Sequence, residues 1–285
     1  MEGTRRSAVR LGEGLKVIFS CLLGILGCVL GALPAAAEEA ETFALPDARS
    51  AFKVLRLEGN GVRWTRRQPD GSLLITYRVV SEQQEFPGAR NCRKMTNPAA
   101  MLAATRVSDA VFRGELTAAF AMWEAAADLR FAEAADGMPA DILIGAQVEP
   151  EGWAFADVFY DTASPERIKP ISRALVCLNP TRRWKVGFDG DLGTYDLRYT
   201  LAHEIGHAIG LDHPNASGQI MGYRYDERFR TLQPGDLEGV LALYGERPLP
   251  NAGTTAAASN GKERHRASRH VSKRWGTRAF NARSH

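Results

Sequence analysis

The sequence predicts an α/β (α+β) fold, a sheet covered by helices, and three observations carry that reading. Ser72–Val80, rich in β-branched and aromatic residues, and the short stretches Leu129–Ala132, Asp141–Ala146 and Arg173–Leu178 read as strands. Asp109–Asp128 repeats Phe112, Leu116, Phe120, Trp123 and Ala127 at three- and four-residue steps, which gives a helix one apolar face. A second such face, Leu197, Leu201 and Ile205, begins behind Asp196, a residue suited to accept from the first free amides of a helix.

The chain has 285 residues, 45% of them hydrophobic, enough for one full core with flanking segments. No repeat or second domain is visible. At the start, Arg5, Arg6, Arg10 and Lys16 precede an apolar run, Val17–Leu33, closed by Ala35-Ala36-Ala37. Residues 1–37 are therefore expected to be a secretory signal, with an uncut membrane anchor as the alternative. Its removal takes Cys21 and Cys28 away and leaves Cys92 and Cys177, which in an oxidising compartment are expected to pair.

Residues 38–72 form an N-terminal segment with turn signals at Asn60-Gly61 and Pro69-Asp70-Gly71 and a short apolar stretch, Val54–Leu57. A catalytic domain is expected over 73–248, with an insertion at 81–107. Phe188–Gly193 is a loop whose Asp189 and Asp191 could hold calcium or simply form a turn. Pro234 opens a last helix through Leu237, Val240, Leu241 and Tyr244. The whole chain carries +3, of which the first 37 residues supply +2 and those after Pro250 supply +7, so residues 38–250 carry −6. The basic stretch 249–285 has little to bury and is expected to be a disordered tail, a solubilising extension or a contact for anionic surfaces. No specific nucleic-acid partner is expected.

The chemistry is concentrated in His203-Glu204-Ile205-Gly206-His207-Ala208-Ile209-Gly210-Leu211-Asp212-His213. Histidines four apart on a helix share one face, so His203 and His207 can converge on one metal ion with Glu204 beside them. Gly210 can take the left-handed conformation that reverses the chain and returns His213 as a third ligand. Three neutral nitrogens leave the fourth position of a tetrahedral zinc open, the mark of a catalytic site. Of six histidines the other three, His265, His270 and His285, lie in the tail.

This string, followed by Met221 in Gln219-Ile220-Met221-Gly222-Tyr223, resembles the metzincin metallopeptidases and their Met-turn. Leu211-Asp212-His213, the spacing to Met221 and the ending Leu237–Gly245 are most similar to the matrixins. The resemblance implies a twisted mixed sheet with an antiparallel edge strand, a ligand helix, the Met-turn and a C-terminal helix. It implies a zinc metalloendopeptidase with one catalytic zinc on His203, His207 and His213 and Glu204 as general base, acting on proteins or peptides. Gly152–Tyr160 takes the place of the edge strand, with Ala154, Phe155 and Ala156 facing an extended substrate or serving as an ordinary half-buried strand. Met221 packs beneath the ligands. Tyr223 stands where matrixins have proline; it is either a wall of the specificity pocket, with Tyr225 in the matrixin role, or a phenol that stabilises the transition state. Cys92 could instead be a latency thiol, but it follows the first strand of the domain, whereas the family's switch cysteine precedes it. A second, structural zinc is not expected, since no histidine is available for it. The expected product is an exported monomer, with a membrane-tethered protease or a catalytically weak zinc-binding protein as alternatives.

Overall fold

A computed structural model describes residues 51–247 except 136. The expected leader (1–37), the start of the N-terminal segment and the basic tail lie outside the described residues.

The chain opens with three short strands, β1 (Lys53–Val54), β2 (Arg56–Leu57) and β3 (Asn60–Arg63). Alternation of buried and half-buried residues then makes β4 (Leu74–Val79), the strand expected at Ser72–Val80. The insertion holds a small hairpin, β5 (Gln84–Glu85) and β6 (Lys94–Thr96), and a helix, α1 (Ala99–Thr105). Helix α2 (Asp109–Ala126) is capped by Ser108, whose side chain accepts from the Val111 amide at 3.2 Å, and buries Phe112, Leu116, Phe120 and Trp123 as its periodicity requires. Strands β7 (Arg130–Glu133), β8 (Ile142–Gln147), β9 (Ala154–Tyr160) and β10 (Ile168–Leu178) follow. Strand β10 begins five residues before the expected Arg173, because its first part pairs with β3. The chain continues through β11 (Trp184–Lys185), β12 (Tyr195–Asp196), α3 (Leu197–Ala208), β13 (Leu211–Asp212) and α4 (Pro234–Tyr244).

The main sheet runs β2-β3-β10-β8-β4-β7. Strands β10, β8, β4 and β7 are mutually parallel neighbours, and β8 is buried throughout, as a strand covered on both faces must be. Strand β9 lies antiparallel on the other side of β10, from Ala154 opposite Leu178 to Tyr160 opposite Ile171. The result is the mixed sheet with an antiparallel edge that the family resemblance implies. Helix α2 packs on α3 and sends its Trp123 indole N–H to the Ala202 carbonyl at 2.9 Å, inside the core.

Residues 51–72, read from sequence as a segment ahead of the domain, are woven into it. Strand β1 pairs antiparallel with β13, and the Leu55 amide donates to the Gly210 carbonyl at 2.8 Å. The Trp64 indole donates to the Ala208 carbonyl at 3.0 Å, and the Tyr244 hydroxyl donates to the Ile209 carbonyl at 2.5 Å. These bonds satisfy the carbonyls that the end of α3 leaves without helical partners.

Candidate active site

Helix α3 is fixed at both ends, and its ends decide where the histidines point. At its start the Asp196 carboxylate, fully buried, accepts from the Tyr199 amide (2.9 Å), the Gly187 amide (2.6 Å) and the Arg230 guanidinium (2.9 Å). Leu197, Leu201 and Ile205 face the core, which leaves His203 and His207 on the opposite side, over the cleft. At its end Gly210 has φ +101° and a Cβ there would lie 2.3 Å from the Val62 carbonyl oxygen, so only glycine fits both the turn and the close approach of β3. The reversal delivers β13 and, after it, His213.

The three imidazoles meet. Their Nε2 atoms lie 3.0 Å (His203–His213), 3.2 Å (His203–His207) and 3.1 Å (His207–His213) apart. The Nδ1 atoms of His203 and His207 face the carbonyls of Ile220 (2.7 Å) and Leu211 (2.8 Å), which can only accept, so each Nδ1 carries the proton. Each Nε2 then turns a lone pair toward the same point. Lone pairs at such spacing repel unless a cation lies between them, and three nitrogens about 2.0–2.1 Å from one tetrahedral zinc would be about 3.3 Å apart. The donor set and its spacing fit zinc, and among the described residues this is the one group with metal-holding geometry. Burial lowers the pKa of all three histidines, and the neighbouring imidazoles lower His203 and His207 further; His207 falls to about 4. They are thus neutral at neutral pH, as ligands must be.

Glu204 lies in the same cleft and is buried, which pushes its carboxyl up to about 8, with the nearby Asp157 charge adding to the effect. The cleft has a volume of about 870 Å³. Strand β9 forms one wall, with Ala154, Phe155 and Ala156 lining it. Its far edge has no strand partner among the described residues.

Below the histidines, Asp236 in the first turn of α4 accepts from the amides of Ile220 and Met221, both at 2.9 Å. This carboxylate holds the Met-turn. Met221 is buried, and a Cβ on Gly206 would come within 2.2 Å of its sulfur, so the glycine inside the histidine motif makes room for the methionine. Tyr223 lines the cleft but is 80% exposed, its ring perpendicular to that of His213 with centroids 5.2 Å apart. Tyr225 is half-buried and stacks on Tyr195 at 4.1 Å. Its hydroxyl accepts from the Asp196 amide and donates to Glu227, each at 2.8 Å. The two tyrosines therefore have different surroundings: one is built into the wall, the other stands free over a histidine.

Cys92 and Cys177 form a disulfide, so the thiol considered for latency is bonded to β10. It pins the loop between β5 and β6 to the sheet. The buried Asp157 carboxylate on β9 pins the same loop again, accepting from the amides of Asn91 (2.8 Å) and Cys92 (2.7 Å) and from the Asn91 side chain (3.1 Å). Sequence reasoning treats 81–107 only as an insertion; in the structure it walls the cleft with Gly88–Asn91.

The oxygens that Asp189 and Asp191 could offer calcium already surround an ammonium. Lys185 Nζ contacts the Asp189 carboxylate, the Asp191 carbonyl (2.7 Å) and the Glu227 carboxylate (2.5 Å). The Asp191 carboxylate is taken up by the Gly193 amide (2.9 Å) and the Thr194 hydroxyl (2.8 Å). This donor set does not fit a divalent cation alongside the lysine. Lys185, Glu227, Asp157 and Asp236 are functional neighbours that sequence reasoning misses; only Asp236, an acidic residue in a helix's first turn after proline, carries a local signal.

The matrixin family model matches residues 94–245. Stromelysin-2 of Rattus norvegicus is 30% identical over 181 residues, 59% of this chain and 36% of that protein. Metalloendoproteinase 4-MMP of Arabidopsis thaliana is 30% identical over 196 residues, 65% of this chain and 49% of that protein. The 72 kDa type IV collagenase of Gallus gallus is 42% identical over 69 residues, 24% of this chain and 10% of that protein. The chain thus spans about half the length of these relatives or less.

Proposed function

Because the chain belongs to the matrixin family, we propose that it is an exported zinc-dependent endopeptidase that hydrolyses internal peptide bonds of protein substrates. The observation that supports this most is the convergence of three Nε2 atoms beside a buried glutamate, in a cleft bounded by an unpaired strand edge. His203, His207 and His213 would hold one zinc per chain. When bound, zinc supplies a Lewis acid that acidifies water and polarises a carbonyl. That cation would offset the burial that holds the metal-free carboxyl up at about 8, so Glu204 takes the proton of the attacking water onto its carboxylate and delivers it to the leaving amine nitrogen as the C–N bond breaks. The free N–H and C=O groups of β9, over Ala154–Ala156, pair with an extended substrate as an added strand and hold its backbone over the histidines.

Export rests on residues 1–37, which lie outside the described residues; among the described residues no helix is long and apolar enough to cross a membrane. The N-terminal residue of the mature protein tests this. A start at Glu38 supports a cut signal, and an intact Val17–Leu33 run supports the tethered form.

The activity is tested by incubating purified protein with a protein substrate, with and without a zinc chelator. Hydrolysis that stops on chelation and returns with added zinc supports the reading, and hydrolysis indifferent to chelation overturns it.

A further inference from the structure

Among the described residues, the charged side chains lining the cleft are Arg90, Asp157, Glu204, Asp212 and Arg224. The carboxylates are engaged. Asp157 receives its three loop donors, Asp212 pairs with Lys53 at 2.6 Å and accepts from the His213 amide at 2.8 Å, and Glu204 is reserved for the proton. The arginines are not engaged: both are exposed, and neither makes an ion pair or hydrogen bond among the described residues. A substrate entering the cleft therefore meets two uncompensated guanidinium groups and no uncompensated carboxylate except the base.

Their backbones are held in place. Arg90 sits between Ala89, whose amide donates to the Phe86 carbonyl at 3.0 Å, and Asn91, clamped by Asp157, with the Cys92–Cys177 disulfide one residue further. Arg224 sits between Tyr223, at the face of His213, and Tyr225, locked by its stack on Tyr195 and its bond to Glu227. A mobile side chain on a fixed backbone can reach a carboxylate without reordering the wall, and a guanidinium can receive it through two parallel N–H groups. Nor do these cations reflect the charge of the surrounding chain, since residues 38–250 carry −6.

We propose that the cleft selects acidic peptide segments, with Arg90 and Arg224 as specificity-determining residues that bind substrate carboxylates. The proposal rests on the peptidase reading above. Exposed pairs of this kind are worth about 1.4- to 5-fold each and weaken with salt, so together they give roughly tenfold.

The test uses one otherwise uncharged peptide scaffold, with Glu, Gln or Lys at positions on both sides of its centre. At low salt kcat/KM is expected to be about tenfold higher for Glu than for Lys, with Gln between, and the ratio should shrink at high salt. In Arg90→Gln/Arg224→Gln the ratio should fall below about twofold, and in Arg90→Glu/Arg224→Glu it should invert, with zinc content unchanged in both. Equal rates for the three peptides, or a preference that survives the double substitution, overturns the proposal. Should no peptide be cut, the peptidase reading fails, and the charge preference is decided separately by fluorescence anisotropy of the same labelled peptides. Tighter binding of the Glu peptide, lost in the double variant, supports it, and equal binding overturns it.

Discussion

Glu204 is buried and the histidines beside it are half-buried, yet burial pushes the carboxyl up and the imidazoles down, because in each case the charged form is the one disfavoured. The consequence separates their roles. Glu204→Gln is expected to keep zinc and lose nearly all peptidase activity, whereas His207→Ala loses both; metal analysis beside an activity assay checks this, and a fully active Glu204→Gln protein would remove the mechanism. Tyr223 poses a different question. Its exposure leaves little packing to lose, while its ring lies against His213. Tyr223→Phe is expected to lower kcat more than tenfold with KM nearly unchanged, the pattern of a donor used in the transition state. A loss under threefold would make it a lining residue only.

At the scale of elements, the sequence discloses those that carry their own period or cap. Helix α2 could be read from Phe112, Leu116, Phe120 and Trp123, and the start of α3 from Asp196. The turn of Gly210 was equally legible, because positive φ is written in the residue type. Strands β1 and β13 were not, since two-residue strands have no period and exist only through each other. Helix α1 escaped for a related reason: Ala99–Thr105 is short and mostly alanine, with only Met101 and Leu102 buried. The clamps on the Met-turn and on the 188–193 loop join residues far apart in the chain, so no local pattern announces them. Asp236→Ala should cost several kcal/mol, since three buried or half-buried amides lose their acceptor at about 1–3 kcal/mol each. A denaturant midpoint unchanged from wild type would show that water replaces the carboxylate. For the loop, the expectation is that a calcium-selective chelator leaves the melting temperature of the zinc-loaded protein unchanged, while Lys185→Met lowers it. A drop in the wild-type melting temperature on chelation would mean that calcium does bind here.

Across the whole molecule, the three depressed histidines link metal, protons and stability. The unfolded chain binds protons on histidine near the ordinary value of 6.5, while His207 in the folded site resists them down to about 4. The histidine contribution is therefore fully present above pH 6.5 and declines as pH falls toward 4, where the unfolded state holds protons that the native state refuses. Metal-free protein should lose denaturant stability across that window, and His207→Gln should flatten part of the slope; equal slopes would refute the linkage. The disulfide acts at the same scale, tying Cys92 in a cleft wall to Cys177 in the central strand across a separation of 85 residues. Its pairing could be read from the sequence because only two cysteines remained once the leader was set aside, but its place beside the cleft could not.

The pairing of β1 with β13 also sets an order of events in time. Lys53 emerges early in synthesis and must wait for Asp212 before the turn ahead of His213 has its strand partner. Closing so long a loop is slow compared with forming a helix. Of the three imidazoles, the one that follows β13 is thus the one whose place leans on a strand from the far end of the described chain, while His203 and His207 are set by α3 alone.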